Sequence, residues 1–161
     1  MIADSVIKSF EKKEKVKKIH GRWMYPMFWA IDLHDVIIPA SYKRTNQGRQ
    51  FAFGAREVLQ WLTNREDMCL ILYTCSHDSY VDEVLTWMQV NGIRFDYVNE
   101  NPEVGSDDLR NIGGKFYFDV LLEDKAGFDL NYDWGNIKGA LEEIGEWEKK
   151  ISHDQTDESA T

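Results

Sequence analysis

MFWAIDLHD, residues Met27 to Asp35, is the stretch on which the fold turns. Five apolar residues run without a polar break and stop at Asp32, with His34 and Asp35 close behind. An unbroken apolar run of strand length predicts a strand buried on both faces, as in a parallel sheet. In such sheets ligands bind beyond the carboxyl ends of the strands. An acid that ends this strand is therefore placed for chemistry.

Working outward, Met68–Tyr73 (MCLILY) repeats the pattern and ends at Thr74-Cys75-Ser76. Asp119–Leu122 predicts a further strand ending in Glu123-Asp124, and Ile93–Val98 a short one. Between them, Ala55–Leu62 and Ser79–Asn91 carry apolar residues at helical spacing, the second closed by Asn91-Gly92. A last helix is expected from Trp134 to Ile151, and Asn99–Gly114 and Pro39–Phe51 read as loops. Strands alternating with helices predict an α/β fold, a three-layer Rossmann-like parallel sheet with helices on both faces.

The chain divides by charge. Residues 1–22 read as a basic N-terminal helix with seven Lys/Arg against three acids, anchored through Val6, Phe10 and Val16. Residues 23–151 form the α/β domain, and 152–161 a disordered tail whose charged residues are all acidic. A hydrophobic content of 43% supports a packed core. The net charge of −9 disfavours nucleic acid as a partner, because that role needs a basic footprint to neutralise phosphates. No apolar run reaches the roughly 18 residues of a membrane span, and no signal-peptide pattern opens the chain. Cys69 and Cys75 are too few for a disulfide framework and are expected as buried thiols in a reducing cytoplasm.

The strand ends gather Asp32, Thr74 with Cys75 and Ser76, and Glu123 with Asp124. Carboxylates crowded at one sheet edge raise each other's pKa, and a hard divalent cation relieves the repulsion. Mg2+ held by such acids attracts a phosphate, and an adjacent Asp can attack phosphorus.

A hydrophobic strand ending in Asp, a second ending in Thr, then a Lys, then a strand ending in an acidic pair resembles the motif order of the haloacid dehalogenase-like hydrolases. The match lies in WAIDLHDVI, LILYTCS, Lys115 of GGKFYFDVLLED, and Glu123-Asp124, and covers roughly residues 26–130. The resemblance implies Asp32 as nucleophile and metal ligand, and Thr74 as a hydrogen-bond donor to the transferring phosphoryl group. It implies Lys115 as the neutralising cation and Glu123 or Asp124 as the completion of a Mg2+ site. His34 would lend the metal its backbone carbonyl. It also stands where phosphatases of this family usually carry a second Asp for acid/base work. Cys75 and Ser76 extend the phosphate-binding loop.

The 42 residues from Asp32 to Thr74 and the 41 from Thr74 to Lys115 are filled by core elements, so no large cap domain is expected. Two functions follow as expectations. One is a Mg2+-dependent phosphohydrolase acting through an aspartyl-phosphate on Asp32, on a phosphate ester that is either small or carried by a macromolecule. The other is a catalytically weak or inactive relative that binds a phosphorylated ligand or a protein partner. An open site of this kind also suits closure by a second copy of the chain.

Overall fold

The computed structural model describes residues 1–21, 25–40, 48–104 and 115–149. Four strands form one all-parallel sheet: β1 (Met27–Asp32), β2 (Met68–Tyr73), β3 (Tyr97–Val98) and β4 (Val120–Leu122), in the order β3-β2-β1-β4. The helices are α1 (Ile2–His20), α2 (Ala55–Thr63), α3 (Asp78–Val90) and α4 (Asp133–Glu143). The expected α/β class is what forms, and no helix among the described residues is long and apolar enough to cross a membrane.

The unbroken apolar strands are explained by two separate cores. Met27, Trp29, Ile31, Met68, Leu70, Leu72, Val120 and Leu122 join one cluster with residues of all four helices. Phe28, Cys69 and Ile71, the alternate positions, join a second cluster with Val104, Tyr25, Tyr97, Phe116 and Tyr117. Alternation along each strand thus sends successive side chains to opposite faces, both apolar. The second face is covered by the crossover from β3 to β4. Asn101 Nδ2 ties this crossover down by donating to the Tyr117 carbonyl, and Asp119 accepts from the Phe28 N–H at 2.9 Å.

The basic N-terminal helix is part of the domain. It packs along α4 and reaches β4, burying Val6 and Phe10, while Val16 stays half-buried. Lys13 joins it to the start of β2 through a 2.6 Å ion pair with Asp67. Asp67 also holds Arg65, which in turn pairs with Glu146 beyond α4 at 3.0 Å. One charged network therefore links three parts of the chain distant in sequence.

Two elements are shorter than the sequence predicts. Strand β3 is reduced to Tyr97–Val98 because upstream backbone donors are engaged elsewhere. The Ile93 N–H bonds the Met88 carbonyl in the stop of α3, and the Arg94 N–H bonds Thr63 Oγ1. Helix α4 ends at Glu143 instead of running to Ile151, because Gly145 takes a left-handed φ of 72°. The Gly145 N–H reaches the Glu142 carbonyl and the Glu146 N–H reaches Leu141, the paired bonds of a Schellman stop. Gly145→Ala is expected to cost about 1 kcal/mol, read as a lower midpoint in urea unfolding with an unchanged m value.

Of the two cysteines, Cys69 is buried as expected and Cys75 is exposed. Cys75 lies past the end of β2, where the strand has left the layered core. The tail expected over 152–161 lies outside the described residues.

Candidate active site

The strand order reverses at β1. From β1 the chain winds outward through β2 to β3, then returns to place β4 on the other side of β1. The crevice beyond the carboxyl ends of β1 and β4 is thus a topological switch point, where doubly wound sheets bind ligands. Asp32 is the last residue of β1, and Glu123-Asp124 follow β4 directly.

These three carboxylates meet. One oxygen from each of Asp32, Glu123 and Asp124 lies within 4.8 Å of the others, and all three residues are half-buried. Burial raises the Asp32 carboxyl; a hydrogen bond from the Leu33 N–H to Oδ1, at 2.7 Å, opposes the rise. The charges of Asp124 and Glu123 add to it, and the pKa settles at about 6. All-oxygen donors suit a hard cation. Ligands roughly 2.1 Å from one Mg2+ lie at most about 4.2 Å apart, so small side-chain rotations close the set. Asp32, Glu123 and Asp124 would hold the ion.

Thr74 follows β2 one residue beyond Tyr73, the register partner of Asp32, so it stands at the same sheet edge. The Thr74 main chain is bracketed by Asn99, whose Oδ1 accepts from the Thr74 N–H while Nδ2 donates to its carbonyl. The Thr74 hydroxyl donates to Ser76 Oγ and accepts the Ser76 N–H, which curls the loop over the strand end. Cys75 is exposed on that loop and Ser76 is half-buried. Helix α3 begins directly after it, with His77 as the residue before the first turn and no side-chain cap from it.

His34 is half-buried beside Tyr80 of α3. Its Nε2 lies 3.3 Å from the Tyr80 hydroxyl and the rings stack at 5.7 Å. Asp35 takes a left-handed φ of 58° and accepts the Ala40 N–H, so its carboxylate serves the turn after β1. That turn is pinned from α4, where Trp134 Nε1 donates to the Val36 carbonyl at 2.7 Å. Asp129 likewise shapes a turn, accepting from the Asn131 N–H at the entry to α4.

Lys115 is exposed, and no described contact joins it to the three acids. Its neighbour Phe116 nevertheless lies edge-on to Tyr73, with ring centroids 6.0 Å apart. The segment before β4 therefore doubles back across the sheet face to its carboxyl edge. An extended run of nine residues would instead leave Lys115 about 30 Å from the acids. Arg49, from the loop after β1, is turned to α3, where it pairs with Glu83 and lies over the Tyr80 and Trp87 rings. Tyr42, Lys43 and Arg44 of that loop, which the sequence offers as a basic flap beside the site, and Arg110, an alternative cation to Lys115, lie outside the described residues.

Three residues at this edge, Asn99, Tyr80 and Tyr73, carry no direct signal in the sequence. Asn99 carried the nearest thing to one, being an Asn at the end of a short strand, a residue type that tolerates a left-handed backbone (φ 53°).

Fold and site together define a parallel α/β domain with an acidic cluster at its switch point. No family model matches the chain, and no curated protein does. A solved structure described as the structure of the conserved protein coded by locus from Bacteroides thetaiotaomicron is similar, with a TM-score of 0.55 and 24% identity. The match covers 74% of this chain and 92% of that one, and at this identity it speaks for the fold alone.

If the acids hold a cation, Mg2+ raises thermal stability. At a hundredfold excess over Kd the gain is about 2.7 kcal/mol. Differential scanning fluorimetry should show the rise in wild type and lose most of it in Asp124→Asn.

Proposed function

We propose that this protein is a Mg2+-dependent phosphohydrolase working through an aspartyl-phosphate on Asp32. The observation that carries the reading is the meeting of Asp32, Glu123 and Asp124 within 4.8 Å at the switch point of the sheet. Three acids gathered there, with no base paired to them among the described residues, favour a cation and, through it, an anionic substrate.

Asp32 Oδ1 is held by the Leu33 N–H, which fixes the carboxylate and leaves Oδ2 for attack on phosphorus. Mg2+, when bound, neutralises the phosphoryl oxygens and keeps Asp32 ionised. Asn99 holds the Thr74 main chain, and the Thr74 hydroxyl, turned away from Ser76 Oγ, donates to the phosphoryl group in transfer. Lys115 adds positive charge. His34 gives a proton to the departing alkoxide, then takes one from the water that attacks the aspartyl-phosphate. Phosphate leaves and Asp32 is restored.

One observation favours the second reading, a binding protein that keeps the site without turnover. His34 is engaged with Tyr80 by both ring stacking and a 3.3 Å contact, where a short acid would stand free. Phosphate release from a panel of esters, with and without Mg2+, separates the two. Turnover in wild type supports the hydrolase. Turnover only in His34→Asp supports the binding protein.

A further inference from the structure

The register places more than acids at the carboxyl edge. Tyr73 pairs with Asp32 across β1 and β2, so the two side chains leave the sheet on the same face, one strand apart. Glu123 keeps an extended backbone after β4, and Ile31 pairs with Leu122, so Glu123 continues the same row on the far side of Asp32. The edge therefore reads Tyr73, Asp32, Glu123 across adjacent strands. From Tyr73 an aromatic ladder continues: Phe116 lies edge-on to Tyr73 at 6.0 Å, and Phe118 edge-on to Phe116 at 6.0 Å.

Both ends of this ladder are open. Tyr73 is 42% exposed and Phe118 38% exposed, while the rest of the strand β2 is buried. Of the side chains of the four strands, Tyr73 alone is exposed, and it stands next to Asp32 in register. Neighbouring apolar rings kept in solvent next to a polar centre are a mark of a ligand surface.

We propose that this site takes phosphate monoesters whose alcohol carries a planar aromatic ring, seated against Tyr73 with Phe116 and Phe118 behind it. The inference rests on the phosphate site proposed above. The phosphoryl group lies at Asp32 and the leaving group extends sideways over β2. A flat ring presents a face to Tyr73 that an aliphatic group of equal size cannot match, and ring stacking of this kind is worth roughly tenfold in affinity.

The test compares benzylphosphonate with cyclohexylmethylphosphonate, which share carbon skeleton and charge and differ in the planar ring. Both are titrated by calorimetry into the full chain with Mg2+. Wild type should bind the benzyl compound roughly tenfold more tightly. Tyr73→Leu should bring the two within about twofold, whereas Tyr73→Phe, which keeps the ring, should retain the preference. Phe118→Leu, at the outer end, guards against misfolding at the strand edge and should lower the preference by a smaller factor. Equal affinity in wild type, no binding of either compound, or a preference that survives Tyr73→Leu overturns the proposal. So does a Tyr73→Leu effect confined to self-association in sedimentation, which would make the ladder a contact between copies.

Hydrolysis of benzyl phosphate is measured in parallel. A benzyl preference in binding without turnover keeps the aromatic seat and removes the hydrolase reading. Turnover without any ring preference does the reverse.

Discussion

Asp32→Asn is expected to abolish phosphate release, by at least roughly 10³-fold in kcat, while the variant stays folded. The amide cannot attack phosphorus and brings no charge to the cation. The fold tolerates it because the carboxylate carries little of the structure: its recorded bond is to the adjacent Leu33 N–H, which an amide oxygen also accepts. Removing a charge repelled by Glu123 and Asp124 is expected to leave stability equal or slightly higher without metal. A loss of release with an unchanged unfolding midpoint is therefore the expected pair of results. Undiminished release in Asp32→Asn would remove the nucleophile assignment.

The second large effect is on stability. Arg65→Met breaks the network that joins α1, β2 and the segment after α4. The Arg65 and Glu146 side chains are only 8% and 10% exposed, so the substitution leaves a nearly buried carboxylate with Lys149 alone. Removing one partner of such a pair costs about 3 kcal/mol, or roughly 6–12 °C in Tm for a chain of this size. The same network sets an acid limit. Burial by itself would raise the Asp67 carboxyl, but hydrogen bonds and charge from Arg65 and Lys13 outweigh it and hold it well below the usual range. A depressed carboxyl contributes stability above its unfolded pKa and loses it on the way down. Wild type should therefore weaken as pH falls below about 4, and Arg65→Met should show a shallower acid slope in chemical denaturation.

Much of the fold is written in two stretches. Residues 27–32 and 68–73 are apolar at every position but the last or nearly so, and burial on both faces demands that. The acids were legible because each ends a strand. The edges of elements were not. Strand β3 is short because Ile93 and Arg94 spend their N–H groups elsewhere, which no periodicity reports. Helix α4 stops where Gly145 turns left-handed, although apolar spacing continues past it. The docking of α1 was hidden for another reason: its charges read as a solvated face, and Lys13 is buried only because Asp67 meets it. At the site, the fold-back that brings Phe116 to Tyr73 is a long-range contact, and the aromatic seat follows from strand register that a single sequence does not print.

The order of the strands also has a consequence in time. Asp32 emerges early in synthesis, yet its two acidic neighbours arrive only with β4, the last strand in the chain and the one that covers the far side of β1. Until that strand docks, the growing chain exposes a lone aspartate with no capacity to gather a cation. A fragment that ends before residue 123 thus lacks two of the three carboxylates of the cluster. The three-acid cluster is complete only once β4 lies beside β1, so its assembly reports that the sheet has closed on that side.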